Sequence, residues 1–508
     1  MSASGTSRAK VLVIATVIAL AITALGEHIG VQYGLAKGLA AGYPWAPVQK
    51  IPDYSDLAWP PLMAADRNRT VHAFNSQEYN SDGDEAIFYR QWTLAQGWTV
   101  PTDILLLTSA SPRPIQGVYL DTNSWFHMIL FLGDQQSAAV YYTKAPAAEA
   151  GNARAWSRLR VVGTLAGPTP IAALAGSGDS DLTILYSGYG EGAGVYEIHS
   201  PDSGETWSNP VPIFLTGSEV LWPMSIRLEV DSRARTHAVW SIIDDRATGQ
   251  AVFYSRFVPE QQAWLPAVIL AARAEDGFST NWPSIISLNN EVFVMYQDGA
   301  TPPTKWMRRS PDGGKTWGFP SRPFAEVGEY ENPILLKDSL NRLHLILGNR
   351  TLETEIHGMW HSQWNGEYWS GLTPIVSGPS SDVFDPSAPQ AVVSQGNVIL
   401  AAWRNDVRVK NGAWFSYTRL DSPEYPLEAL PLSMPTPTPN KLLSSSGAES
   451  TPTLPRPTSA VTTDPQPENA SSSKIFSNPA NLILLGTAPA ILLVVVAILL
   501  KSGLFRQA

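Results

Sequence analysis

Ten charged side chains recur at one place in the rhythm of this sequence. Glu78, Asp134, Glu191, Asp244, Asp245, Arg246, Asp298, Arg350, Arg404 and Asp406 each follow the second short apolar run of a repeating unit. Carboxylates gathered roughly 5–10 Å apart would suit glycoside hydrolysis. Arginines among them would suit an anionic ligand. Asp244, Asp298, Arg350 and Arg404 are the candidates carried forward as ligand-binding residues. Charges at loop tips are otherwise simply solvated. Three tryptophans, Trp59, Trp222 and Trp282, each directly precede a proline that opens a unit. Trp joins a broad apolar face to one N–H donor, so three of them at one mouth would form a platform for sugar rings. The competing reading is packing between units. The eight His show no metal-ligand spacing, so no metal and no cofactor is expected. Tyr330 stands between Glu329 and Glu331, a Tyr/Glu pair in a loop, where such side chains are otherwise simply solvated.

Composition narrows the classes. The chain has 508 residues, a net charge of −10 and no cysteine. Absence of cysteine excludes a disulfide scaffold, a thiolate metal site and a cysteine nucleophile. An acidic chain with no basic run is a poor nucleic-acid binder, and no nucleic-acid partner is expected. No phosphate-binding glycine loop or serine nucleophile elbow is present.

The ends speak of a membrane. Arg8 and Lys10 precede the 15 apolar residues Val11–Leu25, the length of a signal-peptide core, so residues 1–26 read as a signal peptide or an uncleaved anchor. Leu482–Leu500 is 19 residues without a charge, close to the ~20 that span a bilayer. Lys501 and Arg506 follow it, which places the tail inside and the bulk of the chain outside the plasma membrane. Residues 431–480 hold 10 Pro and 17 Ser or Thr, a composition that cannot bury enough apolar surface to fold. They read as an extended stalk. The expected division is 1–26 signal or anchor, 27–52 connector, 53–430 repeat domain, 431–480 stalk, and 481–508 transmembrane helix with a short tail.

The elements that must position the candidate residues follow from a repeat. Ser200–Trp207 (SPDSGETW) and Ser310–Trp317 (SPDGGKTW) nearly match across 110 positions, twice a period of 55. Tryptophans close polar turns on the same beat at Trp98, Trp156, Trp207, Trp264, Trp317 and Trp369, and Tyr425 ends a seventh copy. Prolines open the units at Pro60, Pro114, Pro170, Pro223, Pro283, Pro333 and Pro389. Between the markers lie short β-branched and aromatic runs, such as Thr236–Trp240 and Val292–Tyr296, bounded by turn residues. Seven such units predict an all-β, seven-bladed β-propeller, with six blades as the alternative count. Residues 27–52 could add a strand and alter ring closure.

The two octapeptides fit Ser-x-Asp-x-Gly-x-Thr-Trp, the Asp-box (BNR repeat), and residues 53–430 therefore resemble the sialidase-like β-propellers. The resemblance implies structural roles for Ser200, Asp202, Gly204, Trp207, Ser310, Asp312, Gly314 and Trp317, on a rim away from the active centre. It also implies an arginine cluster that clamps a sialate carboxylate, opened by an aromatic-Arg-Ile-Pro motif. Aligned on Pro60, the Arg position here holds Ala58 and the Ile position holds Trp59. The first clamp residue is thus absent from its expected place. The expectation is a membrane-anchored, extracellular propeller that recognises a glycan or a surface protein without catalysis. The alternatives are a glycoside hydrolase with a divergent site and a cell-envelope scaffold.

Overall fold

The computed structural model describes residues 42–426, except 80–83, 108–112, 134–137, 168, 170, 179, 276, 300–303, 329–330 and 352–355. The signal or anchor segment, the stalk and the C-terminal apolar helix expected from sequence lie outside the described residues. Among the described residues no helix is long and apolar enough to cross a membrane.

Antiparallel sheets follow one another around a ring of seven blades. Their inner strands are Leu62–Ala65, Ile115–Leu120, Ala172–Ser177, Trp222–Val230, Asn281–Leu288, Ile334–Lys337 and Pro386–Ser394. Each described opening proline stands in an inner strand or within two residues of its start, where a missing N–H costs a sheet least. The second strands are buried on both faces; Thr236–Ile243 is buried at every residue. That is why these runs read as continuously apolar rather than alternating. The core is accordingly divided into seven apolar clusters, one at each junction between neighbouring blades.

The ring is closed by both ends of the domain. Gln49–Lys50, from the segment before the first blade, pairs with Ala413–Arg419 as the outermost strand of blade 7. Blade 7 is thus built from the chain's two ends, and the added strand completes a blade without changing their number. Ile51, Val71 and Trp92 then pack on Val398, Leu400 and Phe415 to seal blade 1 against blade 7.

A second repeat, spread over four blades, holds the junctions on one face. Asp66–His72, Asp121–His127, Asp231–His237 and Asp338–His344 share one spacing, Asp followed six residues later by His. In the ring the Asp caps the turn after the inner strand, accepting from the main-chain N–H four residues on at 2.7–3.0 Å. The His bridges that Asp to a Tyr hydroxyl in the third strand: Tyr89, Tyr142 and Tyr254, each at 2.7 Å. Blade 6 has His361 in the tyrosine's place, 3.1 Å from His344.

The octapeptides complete these relays from the next blade. Asp202 accepts from Thr206 N–H at 2.7 Å and Thr206 Oγ1 at 2.6 Å, and Ser200 Oγ accepts from Gly204 N–H at 2.8 Å. Asp312, Thr316, Ser310 and Gly314 repeat this bonding almost to the decimal. Gly204 and Gly314 have φ of +82° and +80°, and a side chain at either would run into the hydroxyl of Tyr142 or Tyr254. Trp207 and Trp317 meet the same tyrosines edge-on at 4.9 and 4.8 Å. Each octapeptide therefore keys its blade onto the Asp–His–Tyr relay of the blade before. At blade 6 the partner comes instead from the N-terminal segment, whose Tyr43 and Trp45 rings sit 5.9 and 5.8 Å from His361.

Candidate functional site

Inner strands start, and second strands end, on the face opposite the octapeptides. There the central channel opens into a cavity of about 350 Å³ lined by residues of all seven blades. Four consecutive blades place a left-handed, non-glycine residue at this mouth: Ser225 (φ 53°), Trp282 (φ 55°), Glu331 (φ 89°) and Ala388 (φ 53°). Three of them sit in register shifts of the inner strand, between Met224 and Arg227, Asn281 and Ser284, and Ser387 and Gln390. Such bulges re-aim side chains at the cost of local strain, and strain of this kind concentrates at functional sites.

Trp59 is the centre of the mouth. Its carbonyl accepts from the buried Tyr54 hydroxyl at 2.6 Å, which fixes the residue before Pro60. The guanidinium carbons of Arg113 and Arg404 each lie 3.1 Å from the centre of its ring. Two cations that close to one ring centre must take opposite faces, so Trp59 is sandwiched between them by cation–π contacts. Arg113 comes from the link between blades 1 and 2, where Gln116 Nε2 donates to its carbonyl at 2.5 Å. Arg404 comes from the end of the second strand of blade 7, with Asp406 3.7 Å away. A third arginine, Arg227, lines the cavity from blade 4 and donates to Asn332 Oδ1 at 3.0 Å. Asn332 Nδ2 in turn donates to the carbonyl of Pro283 at 2.5 Å, tying the arginine to the strand that carries Trp282.

Among the described lining residues, one carries a carboxylate. Glu331 lines the cavity, and its main-chain carbonyl accepts from the buried Lys305 Nζ at 2.8 Å. Burial pushes the Glu331 carboxyl up, against the opposing pull of Arg113, Arg404, the Ala388 N–H and Lys305. Loss of solvent lowers Arg113 to about 10, with Glu331 opposing and Arg404 and Arg227 adding to the fall. Burial alone lowers Arg227 to about 10. All three arginines stay cationic at neutral pH. Asn75 Oδ1 and Ser225 Oγ also line the cavity, and among the described residues neither finds a hydrogen-bond partner. The Nε of Arg404 is likewise unpartnered.

The sequence candidates separate in the structure. Trp59 and Trp282 line the cavity. Trp222 is not among the lining residues; its ring lies against Gly167, close enough that a side chain there would collide with it. Arg404 reaches Trp59. Asp244 is a turn staple, accepting from the N–H groups of Arg246 and Thr248 at 3.0 and 2.8 Å and from Gln250 at 2.9 Å. Asp298 accepts from Thr280 Oγ1 at 2.5 Å, and burial raises its carboxyl. Neither carboxylate is among the cavity-lining residues. Arg350 lies opposite Gly328 and His357 in blade 6, with its side chain outside what the structure describes. Asp134, Glu329 and Tyr330 also fall outside the described residues.

Sequence reasoning passed over Arg113, Arg227, Asn332 and Glu331's place in the cavity. A signal for two of them was present. The position before the opening proline, which singles out Trp59 and Trp282, holds Arg113 in blade 2 and Asn332 in blade 6. Arginine had been sought only one residue further upstream.

No protein-family model matches the chain, and no curated protein matches it. Among solved structures, an ulvan lyase superposes with a TM-score of 0.48 and 11% identity, covering 74% of this chain and 97% of its own. An intramolecular trans-sialidase from Ruminococcus gnavus gives 0.38 and 12%, covering 77% and 98%. The Aleuria aurantia lectin gives 0.39 and 12%, covering 64% and 97%. The chain is similar to each of these in fold, which its own strand order establishes as a seven-bladed propeller.

Proposed function

We propose that the channel mouth binds the acidic group of a carbohydrate, as a recognition site without turnover, on a divergent sialidase-like propeller held at the membrane. The observation that carries this is Trp59 held between Arg113 and Arg404, with Arg227 on the cavity wall. Planar cations fixed by an aromatic ring present their N–H groups in the fork that a carboxylate or sulfate accepts. Trp282, Asn75 Oδ1 and Ser225 Oγ add a ring face and unpaired polar atoms that fit a hydroxylated ring better than a bare anion. The three arginines stand in for the clamp position vacated at Ala58. Glu331 is the one carboxylate among the described lining residues, whereas two flank the bond in most glycoside hydrolases. The apolar runs at 11–25 and 482–500 support display outside the cell, with the Pro/Ser/Thr segment as spacer.

The test is binding of glucuronate- and sialate-terminated oligosaccharides to the full chain in detergent, beside neutral counterparts and chromogenic glycosides. Acidic glycans should bind and neutral ones should not. Trp59→Ala and Arg404→Ala should each weaken binding about tenfold or more. Equal binding of neutral glycans would sink the proposal. Turnover abolished by Glu331→Gln would replace it with the hydrolase reading. Protease shaving of intact cells, releasing the propeller, checks the display.

A further inference from the structure

The cavity holds its own anion. Glu331 is placed on blade 6 with a left-handed main chain, and its carboxylate accepts from the N–H of Ala388 on blade 7. The charges acting on it are Arg113, Arg404 and Lys305. Both Glu331 and Ala388 are in left-handed conformations that L-residues avoid. A carboxylate held across a junction by two strained residues, facing two guanidinium groups that a ligand would need, is a competitor built into the site.

We propose that Glu331 is a resident counter-anion that sets the affinity and pH response of the acidic-carbohydrate site proposed above, on which this inference rests. While ionised it satisfies part of the positive field of Arg113 and Arg404, so an incoming carboxylate or sulfate must share those cations with it. A proton taken up on Glu331 removes the competitor, and ligand binding and proton uptake are coupled. Burial moves this carboxyl upward, against the pull of Arg113 and Arg404. Arg113 and Arg227, lowered only to about 10, keep their charge through mild acid. Other titratable groups on blades 6 and 7 are Asp406, paired with Lys410 at 2.8 Å, and His357, bonded to Asp385.

The experiment is calorimetric titration of the full chain in detergent with glucuronate, and separately with inorganic sulfate, between pH 5 and 8. Both ligands stay ionised over this range. Wild-type affinity should rise about tenfold from pH 8 to pH 5. Glu331→Gln keeps the shape and an amide that can still accept from Ala388. It should bind about tenfold more tightly than wild type at pH 8 and show a flat profile. His357→Gln should retain the wild-type slope. If both ligands bind but the wild-type profile is flat, or Glu331→Gln is no tighter at pH 8, the counter-anion role is wrong while the site stands. A slope that survives in Glu331→Gln and vanishes in His357→Gln overturns it in favour of His357. Absence of binding by either protein removes the site, and this role with it.

Discussion

Replacing His361 by Gln should make the ring less sensitive to acid. His361 is buried at the junction where blade 6 meets the N-terminal segment that closes the ring, against Tyr43, Trp45 and the stacked imidazole of His344. Its Nε2 pairs with His344 Nδ1 at 3.1 Å, and its Nδ1 has no partner among the described residues. Burial, with the neighbouring His344 adding to it, lowers its pKa to about 3. The unfolded chain would protonate the same group near 6.5. A histidine depressed in the folded state costs nothing at neutral pH. It withdraws stability as pH falls below the unfolded value, at about 1.4 kcal/mol per unit, until the folded value is reached. Between pH 7.5 and 5.0 the loss from this one group is about 2 kcal/mol. Urea unfolding at the two pH values measures it, as a shift in midpoint of about 0.5 M. The comparison is between pH values within each protein, so the packing change from the substitution cancels. His127, which burial also lowers, contributes equally to both proteins. Carboxylates begin to matter mainly below pH 5. Wild type should lose about 2 kcal/mol more than His361→Gln over this window. Cleavage within residues 42–50 should also become faster at pH 5 in wild type alone. Equal losses in the two proteins would refute the argument that a lone imidazole replaces tyrosine at a cost paid in acid.

Two further outcomes follow from the keyed junctions. Gly314→Ala should destabilise by about 2–4 kcal/mol in urea unfolding, because alanine resists φ +80° and its Cβ would overlap the Tyr254 hydroxyl. A loss under about 0.5 kcal/mol would show that the octapeptide does not bear on Tyr254. Asp231→Asn should cost about 3 kcal/mol, since it strips charge from a buried hub bonded to Arg235 Nε at 2.7 Å and to His237 at 3.2 Å. Burial raises the Asp231 carboxyl, but the bonds from His237, Arg235 and Arg233 outweigh it and hold it far below the usual range. Its contribution is therefore complete above the unfolded value near 3.9 and lost as pH falls below it. Asp231→Asn should flatten the unfolding profile below pH 4.5, and an unchanged profile would contradict this.

How far the sequence is legible depends on whether the signal is local. The blades are legible because Pro, Trp and turn residues act within their own unit. The octapeptide at 310–317 forms the same bonds as that at 200–207 because every partner lies within four residues. The Asp–His spacing of six is also local and legible, although it is not a metal-ligand spacing. Its meaning was not readable, since the tyrosine that completes each relay touches the next blade. Arg404 was found because it shares a hairpin position with the other charged tips. Asp244 shares that position as well, yet its carboxylate is consumed by its own turn, and sequence position does not distinguish the two.

The sequence by itself determined the repeat, the strand-rich units, the keyed turns and the apolar ends, since these depend on composition and near-neighbour chemistry. Tertiary structure alone decided that Gln49–Lys50 would close blade 7. It also decided that Arg113 and Arg404, separated by 291 positions, would meet on Trp59 with Glu331 lining the same cavity. Ring closure brings blades 1, 2, 6 and 7 to one mouth. Glu331 joins that mouth with a left-handed main chain, and the meeting arises from contacts between units that no single unit encodes.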